Sequence, residues 1–340
     1  MQSNINGADT ADKTGAPLVS VIVPAYNAAD TLERALDSAL AQTMPNLEII
    51  VVDDASSDTT FEVACRVAAR DPRVRVLHNE HNAGLPTSRN YAIDNARGEW
   101  LALLDADDAW APERLTHMLA VTNNADVVSD DIRTYVTRSS PSDVGKPKSW
   151  RLLSHQGLIV TEPRQLSILE FAQFNLGLLK PIIRRSFLQR HSLSFNVSLN
   201  HTVDFHLYFE MLASGARWLQ LPNAYYFYYW HSGSMTRNAL ALAQDVIKSS
   251  KALLNHPAVA ADAQLASAIK RRLKEWQANL AYHTVWSLLK QHRFTSLARL
   301  LFEQPSCYSL CIKKIIRSSR LRIAWWIRKL SERRLSSINQ

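Results

Sequence analysis

Residues 103–110, Leu-Leu-Asp-Ala-Asp-Asp-Ala-Trp, set Asp105, Asp107 and Asp108 within four positions directly after an apolar run. Each ionised carboxylate makes the next harder to ionise, so the cluster calls for a positive partner. Hard oxygen ligands two residues apart suit Mg2+ or Mn2+, which keep some water and take their remaining ligands from substrate phosphates. One carboxylate would hold the metal while another accepts a hydrogen bond from a sugar hydroxyl, and the cation would relieve the repulsion. Asp also favours turns and caps, but that accounts for one Asp at a strand end more easily than for three. The sequence holds neither a G-x-x-x-x-G-K-[ST] nor a G-x-G-x-x-G loop, so a bound diphosphate would be neutralised by metal rather than by a backbone nest.

The elements that must position these carboxylates are clearest from Leu18 to about Asp131. Residues 18–27, LVSVIVPAYN, form a continuous apolar run ending in a polar turn, the pattern of a strand buried on both faces. Residues 28–42 carry Leu32, Ala35, Leu36, Ala39 and Leu40 at helical spacing, with Asp30 or Thr31 able to cap the start. The pattern repeats as strand LEIIVVDD, helix TTFEVACRVAAR, strand VRVLHN, loop EHNAGLP, helix TSRNYAIDNAR and strand WLALLDADD. Strands alternating with helices predict an α/β, Rossmann-like, mostly parallel sheet joined by right-handed crossovers. Ligands bind such sheets beyond the carboxyl ends of the strands. Asp53 and Asp54 close the second strand and Asp105 to Asp108 the fourth, so the two acidic sets are expected to meet at one rim.

A chain of 340 residues, 46% of them hydrophobic, can bury a full core and suggests about two domains or one with an appendage. The net charge of +8 hides an asymmetry. Residues 1–240 carry 21 Lys and Arg against 26 Asp and Glu, whereas 241–340 carry 18 against 5. Any basic partner surface is therefore C-terminal. Cys65, Cys307 and Cys311 make neither an even disulfide set nor a zinc pattern, which favours a reducing, cytoplasmic setting. Residues 1–17 read as a disordered tail without the positive start and apolar stretch of a secretory signal, and no spanning helix is expected.

Four motifs in order, VSVIVPAYNAADTLERALDSALAQT, EIIVVDDASSD, NAGLPTSRNYAIDNARGEWLALLDADD and PERL, make residues 18–131 resemble the nucleotide-sugar domain of the family 2 glycosyltransferases. That family has the GT-A fold and inverts the anomeric centre. The resemblance implies that Asp54 contacts the base of the nucleotide, that Pro24, Ala25 and Tyr26 line its pocket, and that Asp105 binds the ribose or sugar. It further implies that Asp107 holds the metal and that Arg89 approaches the donor. Residues 132–240 would complete the catalytic domain as its acceptor half. There the family opens a helix with an acidic dyad whose second member is the catalytic base. Here the pair is Val203-Asp204, so the base is kept as Asp204 and its partner is lost. An acceptor hydroxyl attacks an anomeric carbon only if its proton leaves as the bond forms, and a single carboxylate suffices for that. The bland reading of Asp204 is a first-turn acid favoured by the helix dipole.

His231, Ser234 and Thr236 follow the aromatic run YYFYYW. The resemblance offers His231 to the diphosphate or the metal, and the plain alternative is a loop residue. Tyr225, Tyr226, Tyr228, Tyr229 and Trp230 can stack on sugar rings, although alternate members are expected to pack into a sheet. Residues 241–340 read as a basic helical region. Leu265, Ile269, Leu273, Trp276 and Leu280 share one stripe of ordinary core packing. In residues 311–330, Ile312, Ile316, Ile323, Trp326, Ile327 and Leu330 share a face while Lys313, Lys314, Arg317 and Arg320 crowd elsewhere. That pattern suits a helix lying on an anionic membrane, an oligomer contact, or a solvated basic helix over its own core. Without a recognition fold, nucleic acid is not expected.

Together these features predict an inverting, metal-assisted transferase. As the resemblance implies, it would move a sugar from a nucleoside-diphosphate sugar, UDP being the commonest, to a glycan or lipid-linked glycan, either in the cytoplasm or peripherally on the cytosolic face of the inner membrane. The altered dyad leaves a second reading, a catalytically silent nucleotide-sugar or glycan-binding protein of the same fold. A sugar nucleotidyltransferase is disfavoured, because PAYNAAD lacks the Gly-rich basic loop such an enzyme needs. Oligomeric state, sugar and acceptor are not encoded legibly.

Overall fold

The computed structural model describes residues 17–136, 150–230, 238–293 and 295. The tail before Pro17, His231, Ser234, Thr236 and the whole basic segment 311–330 lie outside the described residues. The chain divides at about residue 234 into two units.

The first unit begins with the expected alternation. The elements are β1 (Val19–Ala25), α1 (Leu32–Leu40), β2 (Leu47–Asp53), α2 (Thr60–Arg70), β3 (Val74–His78), α3 (Leu85–Asp94) and β4 (Trp100–Leu103). All seven residues of β1 and of β2 are buried, as continuous apolar runs require of strands covered on both faces. β1 pairs in parallel with β2 on one side and β4 on the other, and β2 pairs in parallel with β3. Thr31 is the residue before α1, but its side chain turns back to the Ala28 carbonyl and caps nothing. α3 starts two residues before the expected point, because Pro86 is tolerated in a first turn where its missing N–H has no helical partner.

Beyond β4 the chain leaves simple alternation. It forms β5 (Ala109–Trp110), α4 (Arg114–Leu119), β6 (Val127–Ser129), β7 (Ile132–Val136), β8 (Trp150–Arg151), α5 (Leu152–Gln156), β9 (Arg164–Gln165) and α6 (Ile168–Gln173). β10 (Ile182–Arg184), α7 (Arg185–Arg190), α8 (Val203–Ala213), β11 (Trp218–Gln220) and β12 (Tyr226–Trp230) complete the unit. The main sheet has the order β3-β2-β1-β4-β10-β6-β11-β9, and β10 is antiparallel to both of its neighbours. A second sheet has the order β5-β12-β7-β8. Its strand β5 begins six residues after β4 ends, so the acidic turn 105–108 spans the passage from one sheet to the other.

α8 packs close against the segment before β10. A Cβ added at Gly177 would lie 2.6 Å from Phe205 Cβ and 3.0 Å from Phe205 Cα, so glycine there lets the first turn of α8 approach. Phe171, Phe205, Tyr208 and Trp218 stack beneath that turn, with ring centroids between 4.8 and 6.4 Å apart.

The second unit consists of α9 (Ala239–Leu254), α10 (Pro257–Ala261) and α11 (Ala263–Lys290), with α9 and α11 packed along each other. Leu265 and Ile269 are buried as expected, while Leu273, Trp276 and Leu280 are half-buried. Among the described residues no helix is long and apolar enough to cross a membrane.

Gly177→Ala is expected to cost about 1–3 kcal/mol, the usual penalty for overpacking a full core. Gly215, whose added Cβ meets nothing within 4 Å but whose φ is +85°, should lose only about 1–2 kcal/mol as Ala. Urea denaturation of the two variants checks the contrast, and a larger loss at Gly215 would contradict the packing described.

Candidate active site

The three acids of the turn have three different surroundings. Asp105 is reached by two cations. Arg89 Nη2, from α3, donates to its Oδ1 at 2.7 Å, and Lys180 Nζ sits 2.8 Å from its Oδ2. The same cations hold Asp204, in the first turn of α8. Arg89 Nη1 donates to Asp204 Oδ1, and Lys180 Nζ to Asp204 Oδ2 at 2.8 Å. Two carboxylates and two cations thus close a ring of alternating charge. Arg89 and Lys180 are 1% and 5% exposed, against 24% for Asp105 and 14% for Asp204, so solvent reaches the ring from the carboxylate side.

Burial alone would push the Asp105 carboxyl up, but Lys180 and Arg89 outweigh it and hold the group well below the usual carboxylate range. Burial would likewise lower Arg89 and Lys180, and the two carboxylates raise both above their ordinary values.

Asp108 is wholly buried and ties the turn to the second sheet. Tyr226 Oη donates to its Oδ2 at 2.7 Å, and the Tyr229 N–H donates to its Oδ1 at 2.9 Å. Tyr226 Oη also accepts the Asp105 N–H at 3.2 Å. Burial, with Asp107 and Asp105 adding repulsion, raises the Asp108 carboxyl well above its ordinary value. Asp107 is half-buried, and its backbone carbonyl accepts from Arg34 Nη2, whose guanidinium lies 4.2 Å above the Tyr229 ring. The cluster's need for a positive partner is therefore met in part by side chains, alongside any metal ion. Arg89 and Lys180 neutralise Asp105, and Asp108 is satisfied by a hydroxyl and an amide.

The second acidic pair is also engaged. Asp54 Oδ1 accepts from Asn79 Nδ2 at 2.7 Å and the Ala83 N–H at 2.8 Å, and its Oδ2 accepts the Gly84 N–H at 2.9 Å. Asp54 thereby fixes the loop that leads into α3 and so into Arg89. Asp53 is buried, with Oδ2 bonded to His78 Nδ1 at 3.0 Å and Oδ1 without a partner. The two acidic sets lie at the carboxyl ends of parallel strands and so at one rim, Asp53 as the last residue of β2 and Asp105 to Asp108 after β4, with β1 running between them. Of the three expected pocket residues, Pro24 and Ala25 are buried within β1 and Tyr26 stands 52% exposed at its end.

Among the described residues no group of three His, Cys, Asp or Glu side chains is placed to enclose a metal ion. That donor set still fits Mg2+ or Mn2+ at Asp107, because these ions accept one or two carboxylates and take further ligands from water and phosphates. His231 lies outside the described residues.

Lys180 was not among the residues read from the sequence. Its one signal there is a charge inside the apolar run Gly-Leu-Leu-Lys-Pro-Ile-Ile. Arg114, in the PERL motif, also acquires a role. Its guanidinium is buried against both oxygens of Asp130, and Nη2 further donates to the Lys180 carbonyl.

A nucleotide-sugar-binding α/β sheet with an acidic turn at its carboxyl edge defines the GT-A class. Residues 20–177 match the model of the family described as "Glycosyl transferase family 2". The succinoglycan biosynthesis protein ExoO of Rhizobium meliloti is 36% identical over 230 residues, covering 65% of this chain and 63% of that protein. Two solved structures share the fold. TarS of S. aureus in complex with UDP has a TM-score of 0.56 at 22% identity, over 76% of this chain and 70% of that one. The mannosyltransferase PcManGT of Pyrobaculum calidifontis, in complex with GDP-Man and Mn2+, has 0.55 at 21%, over 88% and 80%. The matched segment, residues 20–177, is that of glycosyltransferase family 2, and the chain spans somewhat less than two thirds of the length of the ExoO protein it resembles.

A group held low in the folded state stabilises it above the unfolded carboxylate value, about 3.9 for Asp, and ceases to as pH falls toward the folded value. Stability should therefore drop as pH is lowered from 5 to 3. Asp105→Asn, already lacking this contribution, should lose less over that interval. Melting curves across the range check the difference, and parallel losses would contradict the ion ring.

Proposed function

We propose that this chain is an inverting glycosyltransferase. It moves a sugar from a nucleoside-diphosphate sugar, with UDP-sugars the first candidates, to a hydroxyl of a glycan or lipid-linked glycan in surface-polysaccharide assembly. One observation carries the reading. Asp105, at the end of a donor-side strand, and Asp204, in the first turn of α8, are drawn to one place by the same two cations.

The ring leaves capacity for substrate. A carboxylate offers about four lone-pair sites, and each of Asp105 and Asp204 has two of them engaged by cations. The remaining sites of Asp105 accept a hydroxyl of the ribose or the donor sugar. Those of Asp204 accept the acceptor hydroxyl and take its proton as the new bond to the anomeric carbon forms. The bond from that carbon to the diphosphate oxygen breaks on the opposite face, and the nucleoside diphosphate departs. No protein nucleophile is needed, because attack and departure are in line. Asp107 faces the diphosphate, where Mg2+ or Mn2+, when bound, supplies neutralising charge. Arg89 serves by fixing both carboxylates rather than by reaching the phosphates itself. Tyr26 lies against the base, at the edge that Asp54 shapes through residues 79–84.

Thermal melting with UDP-glucose, UDP-N-acetylglucosamine and GDP-mannose, each with and without Mn2+, tests the donor reading. At least one is expected to raise the melting temperature, more strongly with Mn2+, since a ligand of the native state stabilises it. Asp107→Asn should remove the Mn2+ dependence. No shift with any of the three would count against the proposal.

Asp204→Asn should lower turnover by about 10²–10⁴-fold, the contribution of a positioned base, while calorimetry finds donor binding within a few-fold of the parent. Unchanged turnover in this variant would overturn the assignment of Asp204 as base, whereas a parent protein that binds donor without any turnover would support the silent-binder reading, which the buried Val203 in place of the dyad's first acid motivates.

A further inference from the structure

We propose that Lys180 is a positioning residue whose ammonium, joined to one oxygen of Asp105 and one of Asp204, sets the spacing between the donor-side carboxylate and the base. The inference rests on the transferase reading above and adds to it a part that none of the recognised motifs contains.

The geometry is that of a closed linkage. Lys180 Nζ is 2.8 Å from each carboxylate, so the two oxygens it holds lie no further apart than twice that. Arg89 bridges the other two oxygens with its planar fork. One bridge alone would leave Asp204 free to swing about it, whereas two bridges on opposite oxygens fix both distance and rotation. The charge count points the same way. Without Lys180, two carboxylates would share a single buried guanidinium, and each would repel the other across the place where the sugar must sit.

The root of Lys180 is itself anchored. Its carbonyl accepts from Arg114 Nη2, and Arg114 is held by Asp130 and lies 4.8 Å from the Trp110 ring and 5.1 Å from the Tyr226 ring. Pro181 follows, which biases Lys180 toward an extended backbone, and Ile182 enters the main sheet as the first residue of β10. A flexible lysine is thus fixed at its base by a buried cluster and at its tip by two carboxylates. A side chain serving only to balance charge would need neither the anchored carbonyl nor contact with both acids.

Other groups face Asp204 from the elements packed against it. They are Arg89 on α3, Asp105 after β4 and Tyr208 one turn along α8, whose buried hydroxyl has no hydrogen-bond partner. Of these, Arg89 is the one that joins Lys180 in holding the carboxylate by charge.

The test measures release of nucleoside diphosphate from UDP-glucose, UDP-N-acetylglucosamine and GDP-mannose, with octyl β-glucoside and octyl β-galactoside as acceptors and Mn2+ present. Lys180→Met should lower kcat at least about tenfold, since an error near 1 Å in a reacting group can cost about a hundredfold. Its donor KM should stay within about twofold, and Lys180→Arg should recover most of the loss. Circular dichroism and melting check folding. Should Lys180→Met fail to fold, Lys180→Gln, which is polar but uncharged and too short to bridge both carboxylates, carries the same expectation. A folded Lys180→Met with parental kcat overturns the proposal, as does one whose donor KM rises while kcat holds, because that places Lys180 on the donor instead. Parent protein that releases no diphosphate from any donor overturns the transferase reading itself, and with it this proposal.

Discussion

The ring formed by Arg89, Asp105, Lys180 and Asp204 is the constraint on which the site depends. Its members come from α3, the end of β4, the segment before β10 and the first turn of α8, and they meet only in the folded chain. Taking charges out of water is expensive, and the expense is recovered only when geometry is good and every charge has a partner. Removing one member leaves a buried charge uncompensated, typically a loss of about 3–5 kcal/mol. Much of the neighbouring architecture serves this requirement. Gly177 lets α8 approach, Asp54 shapes the loop that delivers α3, and Arg114 fixes the backbone of Lys180.

The three acids of the turn divide their work by environment rather than by spacing. Asp105 is kept charged by two cations. Asp108, raised by burial and by the repulsion of Asp107 and Asp105, is driven toward its neutral form and serves as a joint with Tyr226 and Tyr229. Asp107, between them, stays half-buried, with its backbone carbonyl held by Arg34. Three identical side chains within four positions therefore have an ion-pair role, a structural role and, under the proposed function, a ligand role. The partners that decide among these roles lie as far as 121 residues away in sequence.

This explains how much could be read in advance. The strands β1, β2 and β4 announce themselves through largely apolar runs, because a strand covered on both faces has little polar alternative, while the edge strand β3 is legible from its place in the alternation. The antiparallel insertion of β10 and the second sheet do not announce themselves. Strands of two or three residues, such as β5, β8 and β9, are too short to carry a period, and their pairing depends on partners far along the chain. In the site, Asp105, Asp204 and Arg89 stand in recognisable motifs. Lys180 stands in none, since a lone lysine in an apolar run acquires meaning only from two acids 75 residues before it and 24 after. The reading of the acidic cluster as a metal site was incomplete for the same reason. Its positive partners were side chains that local spacing does not reveal.

The passage of the chain from β4 in one sheet to β5 in the other within a few residues has a mechanical consequence. Asp105 is bound to groups carried by the main sheet and its helices, whereas Asp108 is bolted to β12 in the small sheet. Asp107 sits on the lever between these two attachments. Because the Asp105 N–H also donates to Tyr226 Oη, any sliding of the small sheet would be felt along the whole turn, at its backbone as well as at the Asp108 carboxylate. The turn is thus a mechanical coupling through which strain in the small sheet reaches the carboxyl edge of the main sheet.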